Sequence, residues 1–284
     1  MDDLMSPAAV TSRLESCFRD LRQLGEKALV VYLTAGDPSL EATGRLLKAI
    51  EQGGADVIEL GIPFSDPLAD GPVIQRASER ALRAGATLRK VLGHLPLWRE
   101  KLSAPIVLFT YFNPVLQYGL EAFAHDASRA GADGALVVDL TPEEAGDYLA
   151  AMRAHNLDTV FLASPTSPDE RLQRVAEASS GFLYLISRTG VTGERQTLSA
   201  AIGPLAERAR RFTRLPLAVG FGVSTPEQVR EVQSLADAAV VGSAVVHAIE
   251  ERYPRGGATA VRDFVSWLKG RSTDGTDSSD GRNW

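Results

Sequence analysis

The feature that most limits the fold of this chain is a rhythm of short apolar runs rich in Val, Ile and Leu, with helical stretches between them. Eight such runs can be counted, at residues 29–34, 57–60, 106–111, 135–138, 159–162, 183–186, 217–219 and 239–241. Most are continuously apolar and do not alternate with polar residues, as expected of strands covered on both faces. Strands that alternate with helices build a parallel sheet. Eight βα units in about 250 residues is the arithmetic of a (β/α)8 TIM barrel. A doubly wound open sheet is the alternative, because strand order cannot be read from one sequence.

The segments around these runs carry helix signals. Pro142 and Pro226 follow Thr141 and Thr225 and are expected at first helical positions, and Ser167-Pro168 is expected to open another helix. Before the first run, Ser12 and Glu15 have capping-box spacing, and Leu14, Phe18 and Leu21 form one apolar stripe. This predicts an extra N-terminal helix that needs a surface to cover, and the open N-terminal end of a barrel supplies one. Val261, Phe264, Val265 and Leu268 predict a last amphipathic helix. Residues 1–270 then form a single barrel domain, and 271–284, rich in Ser, Asp and Gly, are expected to be a disordered tail.

Composition excludes several function classes. The 30 basic residues against 36 acidic ones give a net charge of −6, with no basic run suited to a phosphate backbone, so no nucleic-acid partner is expected. No apolar stretch reaches the roughly 18 to 20 residues of a membrane span, and residues 1–10 lack a signal pattern. One cysteine, Cys17, and four dispersed histidines provide neither a disulfide framework nor metal-ligand spacing. The expectation is a cytoplasmic protein of a reducing compartment, with no metal.

In a β/α barrel the chemistry sits at strand C-termini and in the loops that follow them. Glu59 closes an apolar strand, where desolvation would raise its pKa and let it exchange a proton near neutral pH. The loop after it holds Asp66 and Asp70 among prolines and glycine, a composition that a solvated turn would explain equally well. Late in the chain, Gly222 on one side and Gly242 with Ser243 on the other fall after the last two runs, where such barrels often hold phosphate against backbone N–H groups and a helix N-terminus. Tight-turn glycines are the competing explanation. The segment after the sixth run, 187–197, carries two glycines and polar residues and reads as a closing loop. Tyr184, Tyr111 and Phe221 suggest an aromatic wall, although aromatics on barrel strands are often plain core.

Over Glu59-Leu-Gly-Ile-Pro-Phe-Ser-Asp-Pro-Leu-Ala-Asp-Gly-Pro72 the chain resembles the tryptophan synthase α subunit family. Tyr32-Leu-Thr-Ala-Gly-Asp-Pro38, Tyr111 with Asn113, Ser187-Arg-Thr-Gly-Val-Thr-Gly193 and Gly220-Phe-Gly222 extend the resemblance across residues 14–268. It implies a barrel lyase that cleaves indole-3-glycerol phosphate to indole and glyceraldehyde 3-phosphate in tryptophan biosynthesis. Glu59 and Asp70 then match the catalytic glutamate and aspartate, Tyr184 the tyrosine beside the reacting carbons, and Tyr32 and Phe221 the lining of the indole pocket. Gly193, Gly222, Gly242 and Ser243 match the phosphate site, and Thr192 falls in the closing loop. Asp66 and Pro67 match the loop toward a β subunit that carries pyridoxal phosphate. The family implies an αββα assembly and no cofactor in the α chain. Val31 and Thr141 stand where the family commonly has proline, and Thr141 lies near the surfaces that resemble the subunit interface.

Overall fold

A computed structural model describes residues 11–186, 198–220 and 222–271, with the side chains of residues 198–201 left aside. Eight parallel strands, β1 (Ala28–Thr34), β2 (Val57–Gly61), β3 (Ile106–Thr110), β4 (Gly134–Val137), β5 (Asp158–Ala163), β6 (Leu183–Ile186), β7 (Leu217–Gly220) and β8 (Ala238–Val241), follow one another around a closed barrel. Closure comes from β1, which pairs with β2 on one side and with β8 on the other. The open-sheet alternative is thereby excluded, and each expected strand lies within a residue or two of its apolar run.

The continuous apolar runs have a physical reason. Successive side chains point to opposite faces of a strand, and here both faces are buried in separate apolar clusters. Leu29, Val31 and Leu33 of β1 pack outward against the helices, whereas Ala28, Val30 and Tyr32 point into the barrel. A polar residue on either face loses its water, and the buried ones on the strands are confined to Thr34, Glu59, Thr110, Asp158 and Thr159 among the described residues.

Helix α1 (Arg13–Gln23) closes the N-terminal end of the barrel. Ser12 caps it, its hydroxyl accepting from the Glu15 N–H at 3.1 Å. Leu14 and Phe18 are buried in the interior cluster with Val30 and Phe182, and the Phe18 and Phe182 rings lie 5.9 Å apart. The predicted extra helix and the surface it covers are thus both present.

Around the barrel run α2 (Leu40–Gly53), α3 (Pro72–Arg83), α4 (Leu88–Arg99), α5 (Phe112–Tyr118), α6 (Leu120–Ala130), α7 (Gly146–Ala154), α8 (Asp169–Ala178), α9 (Leu198–Arg210), α10 (Pro226–Leu235) and α11 (Ser243–Leu268). The connections after β2 and β3 each hold two helices, which the count of eight βα units leaves unassigned. Pro226 is the first residue of α10, behind a complete capping box of Thr225 and Gln228. Pro142 is not at a helix start: it lies in a turn, and α7 begins at Gly146. The Thr141 hydroxyl donates to the Glu144 carboxylate at 3.0 Å and does not cap a backbone N–H, so the turn does not propagate. Pro168 is the N-cap of α8 and not its first residue, because the Ser167 hydroxyl turns back to accept from the Ser164 N–H at 3.1 Å.

The expected last helix is the second half of α11. Gly257, at φ 62° and ψ −158°, breaks the helical path, and Val261, Phe264, Val265 and Leu268 are buried beyond it. Of the expected tail only Arg271 is described; 272–284 lie outside the described residues.

Candidate active site

Glu59 sits on the inner face of β2, in register with Tyr32 of β1 and Val107 of β3. It is 1% exposed, which excludes a ragged surface position. Its Oε1 has no hydrogen-bond partner among the described residues. Burial without a counter-charge penalises the ionised form, and the carboxyl is pushed up from 4.5 to about 8. A glutamate in this state is protonated at neutral pH and can both give and take a proton.

Asp70 reaches the same chamber from the loop between β2 and α3. That loop is tied down by its own contacts. The Asp70 N–H donates to the Pro67 carbonyl at 3.0 Å, and Gln75 Nε2 donates to the Asp70 carbonyl at 2.9 Å. The Tyr111 hydroxyl, at the end of β3, accepts from the Ala69 N–H at 3.1 Å and hydrogen-bonds the Asp70 carboxylate. Burial raises Asp70 from 3.8 to about 6, with the Tyr111 bond pulling against it. Asp70 is therefore mostly ionised at pH 7, where Glu59 is mostly neutral.

Two tyrosines complete the inner wall. Tyr32 is buried, its hydroxyl 3.3 Å from Thr34 Oγ1 and its ring edge-on to Phe109 at 5.2 Å. Burial pushes its phenol up, with Asp70 and Glu59 adding to the shift, and burial followed by Glu59 does the same to Tyr184, so both rings lie within reach of the carboxyl pair. Glycines make room for them. A Cβ on Gly61 would stand 2.1 Å from the Tyr32 hydroxyl, and one on Gly220 would stand 2.0 Å from the Tyr184 hydroxyl. At these two strand ends any larger residue would displace a tyrosine.

The glycine sites after β7 and β8 differ in what they require. Gly222 has φ +93°, a conformation that by itself selects glycine. Gly242 has φ −110°, and a Cβ there would meet only the Tyr32 side chain at 3.6 Å, an ordinary contact. The space around this position does not by itself require glycine. Gly242 is the N-cap of α11 with no side-chain cap, and Ser243 is its first residue, so the first N–H groups of a long helix point away from it at this end of the barrel. Phe221, Thr192, Gly193 and the expected closing loop lie outside the described residues.

Asp66 stands apart from the carboxyl pair, whereas the Pro67 carbonyl accepts the Asp70 N–H. Asp66 is exposed and accepts from the Ser65 hydroxyl at 2.5 Å, and neighbouring Leu68 is 93% exposed. The residue pattern had marked Tyr111 only as wall; its hydrogen bond to Asp70 links residues 41 positions apart and has no local signature. The signal for the tyrosine pockets was available in the glycines that end β2 and β7.

A surface depression of about 470 Å³ between Arg13, Arg99 and Arg129 lies beside α1, away from this chamber. Arg99 spends its guanidinium on the Ser103 and Ala104 carbonyls. Among the described residues no group of three or more His, Cys, Asp or Glu could hold a metal ion, and no helix is long and apolar enough to cross a membrane.

The family model described as tryptophan synthase alpha chain matches residues 18–269. A tryptophan synthase alpha chain from Solibacter usitatus is 56% identical over 240 residues, covering 84% of this chain and 90% of the relative. One from Geobacter sulfurreducens is 47% identical over 258 residues, covering 91% and 98%. Among solved structures, a Mycobacterium tuberculosis tryptophan synthase superposes with a TM-score of 0.83 at 40% identity, over 91% of this chain and 97% of that one. Tryptophan synthase subunit alpha from Legionella pneumophila gives 0.82 at 37% identity, over 92% and 98%.

Proposed function

This chain belongs to the tryptophan synthase alpha chain family and is an indole-3-glycerol phosphate lyase of tryptophan biosynthesis, and from that premise we propose how its own residues divide the work. The observation that carries the assignment is the buried carboxyl of Glu59, whose Oε1 has no hydrogen-bond partner among the described residues, facing a chamber that it shares with Asp70. Two carboxyls whose surroundings push them to about 8 and about 6 are separated into an acid and an anion at pH 7.

Cleavage requires indole C3 to become a leaving group. Glu59 gives its proton to C3, forming a C–H bond and leaving a cationic indolenine. The Glu59 carboxylate then takes the proton of the hydroxyl on the adjacent glycerol carbon. As the aldehyde C=O forms, the electrons of the C–C bond return to the ring and release indole, and Glu59 ends as it began. Asp70, ionised and held by Tyr111, faces the indole N–H, which gains positive character as C3 is protonated, and stabilises that charge. Tyr32, Tyr184 and Phe221 line the indole pocket.

The phosphate is held by the backbone at Gly222, Gly242 and Ser243 together with Gly193, with the α11 dipole favouring the anion. In support, Gly242 has no steric reason within the described chain to be glycine. This contact orients the glycerol chain, which accelerates cleavage only as far as it aligns the reacting bond. Thr192 belongs to a loop that closes over the site.

Residues 1–270 act as one barrel domain. The partner is a β subunit carrying pyridoxal phosphate in an αββα assembly, and no step on this chain runs through that group. Asp66 and Pro67, beside exposed Leu68, face the partner. The complex works in the cytoplasm. Glu59→Gln tests the assignment: turnover is lost while glycerol 3-phosphate still binds, and near-normal turnover overturns it.

A further inference from the structure

Helix α3 packs on both sides of the barrel wall, with Ala81 in the outer cluster and Ala77 in the interior one. It starts at Pro72, two residues after Asp70, and its Ala77 packs with the interior cluster. It lies hard against the connection after β1, where a Cβ on Gly36 would stand 2.4 Å from the Ala86 Cβ and 3.3 Å from the Ala81 Cβ. Arg80 ties it to both neighbouring elements in this position. Arg80 donates from Nε and Nη2 to the two carboxylate oxygens of Asp37 at 2.9 and 2.8 Å, and from Nη1 to Glu250 Oε1 of α11 at 2.7 Å. Asp37, in the β1 connection, is 4% exposed, and Arg76 and His247 stand 3.7 and 3.9 Å from the other Glu250 oxygen.

The positions of these groups along their helices match. Arg80 is eight residues beyond Pro72 and Glu250 is seven beyond Ser243. At 1.5 Å per residue, that is about 12 Å and about 10.5 Å from the respective helix starts. The guanidinium therefore joins two helices at nearly equal depth below two ends that face the same chamber, one carrying Asp70 and the other the candidate phosphate cradle. A planar fork fixes orientation as well as distance, which a lysine's single ammonium cannot do.

We propose that Arg80 is a positioning residue that sets the Asp70 end of α3 against the Ser243 end of α11, so that a substrate anchored by its phosphate presents its indole N–H to Asp70. This rests on the roles given above to Asp70 and Ser243. The connection is bistable in neither arm: Asp37 is buried and needs its cation, and Glu250 gathers Arg80, Arg76 and His247.

The test uses the full chain with its β partner and compares wild type, Arg80→Lys, Glu250→Gln and the double variant. It measures indole release, glycerol 3-phosphate affinity and the thermal midpoint. Misalignment of a positioned group acts on the transition state, so kcat falls about tenfold in Arg80→Lys and about threefold in Glu250→Gln, with affinity for glycerol 3-phosphate kept within about twofold. The double variant is no worse than Arg80→Lys, because both substitutions cut one connection. A purely structural role would lower the thermal midpoint and leave the kcat of folded protein at the wild-type value, and that result overturns the proposal. If Arg80→Lys does not fold, Glu250→Gln, which keeps the fork on Asp37, decides: an unchanged kcat overturns it. A wild type that releases no indole, or a Ser243→Asp variant with unaltered glycerol 3-phosphate affinity, would overturn the site reading instead.

Discussion

Replacing Glu59 with glutamine should make the protein more stable while it destroys the activity, and the gain should depend on pH in a defined way. The wild-type carboxyl moves from 4.5 when solvated to about 8 in the fold. Below pH 4.5 both states hold the proton and the group is silent. Between 4.5 and 8 the unfolded chain loses the proton that the folded chain keeps. Stability therefore falls as pH rises through this window, by about 1.36 kcal/mol per unit. At pH 7, two and a half units into the window, the penalty is about 3 kcal/mol. Glutamine never ionises, but its amide brings donors to a place where Oε1 already has no partner, at a cost of about 1 kcal/mol or more. The net gain at pH 7 is about 2 kcal/mol, or about 4 to 8 °C in thermal midpoint for a domain of this size. Urea unfolding of both proteins at pH 5, 6, 7 and 8 measures it. The difference should be near zero or negative at pH 5 and widen with each unit. Parallel stability profiles across that range would refute the reasoning, whatever the constant offset between them.

Three other outcomes follow from the same geometry. The kcat/KM of the wild type should be highest between about pH 6 and 8, where Asp70 is ionised and Glu59 protonated; a profile flat to pH 9.5 would remove Glu59 as the acid. Gly61→Ala should destabilise the fold by about 1 to 3 kcal/mol because its methyl meets the Tyr32 hydroxyl, and Tyr32→Phe should recover part of that loss; equal midpoints for Gly61→Ala and wild type would contradict the packing. Ser243→Asp places a negative charge at the α11 N-terminus and should raise the KM for indole-3-glycerol phosphate at least about tenfold, a change checked by steady-state kinetics; an unchanged KM would remove the phosphate from that helix.

The barrel was legible because its strands are buried on both faces, which turns each into an apolar run with sharp ends. Glu59 was legible for the same reason, as a carboxyl that interrupts such a run. The helix starts at Thr141 and Ser167 were misread because their hydroxyls go to Glu144 and Ser164, choices that depend on side-chain geometry and not on local wording. Helix α3 packs through Ala77 on the interior cluster and through Ala81 on the outer one, and nothing in its sequence separates it from a purely outer helix. The contacts that hold it join Arg80 to Asp37 and Glu250, 43 and 170 residues away, and such pairings form only when the barrel closes. Asp70 was found through the wording of its loop, but its hydrogen bond to Tyr111 was not, since the two meet only through the neighbouring ends of β2 and β3.

The central claim is that this chain's carboxyl pair releases indole within a two-subunit enzyme. The most direct measurement is indole formation from indole-3-glycerol phosphate by the purified chain, alone and with a tryptophan synthase β subunit added. The account predicts weak release by the chain alone that rises sharply when β is present, and no indole under either condition would contradict it.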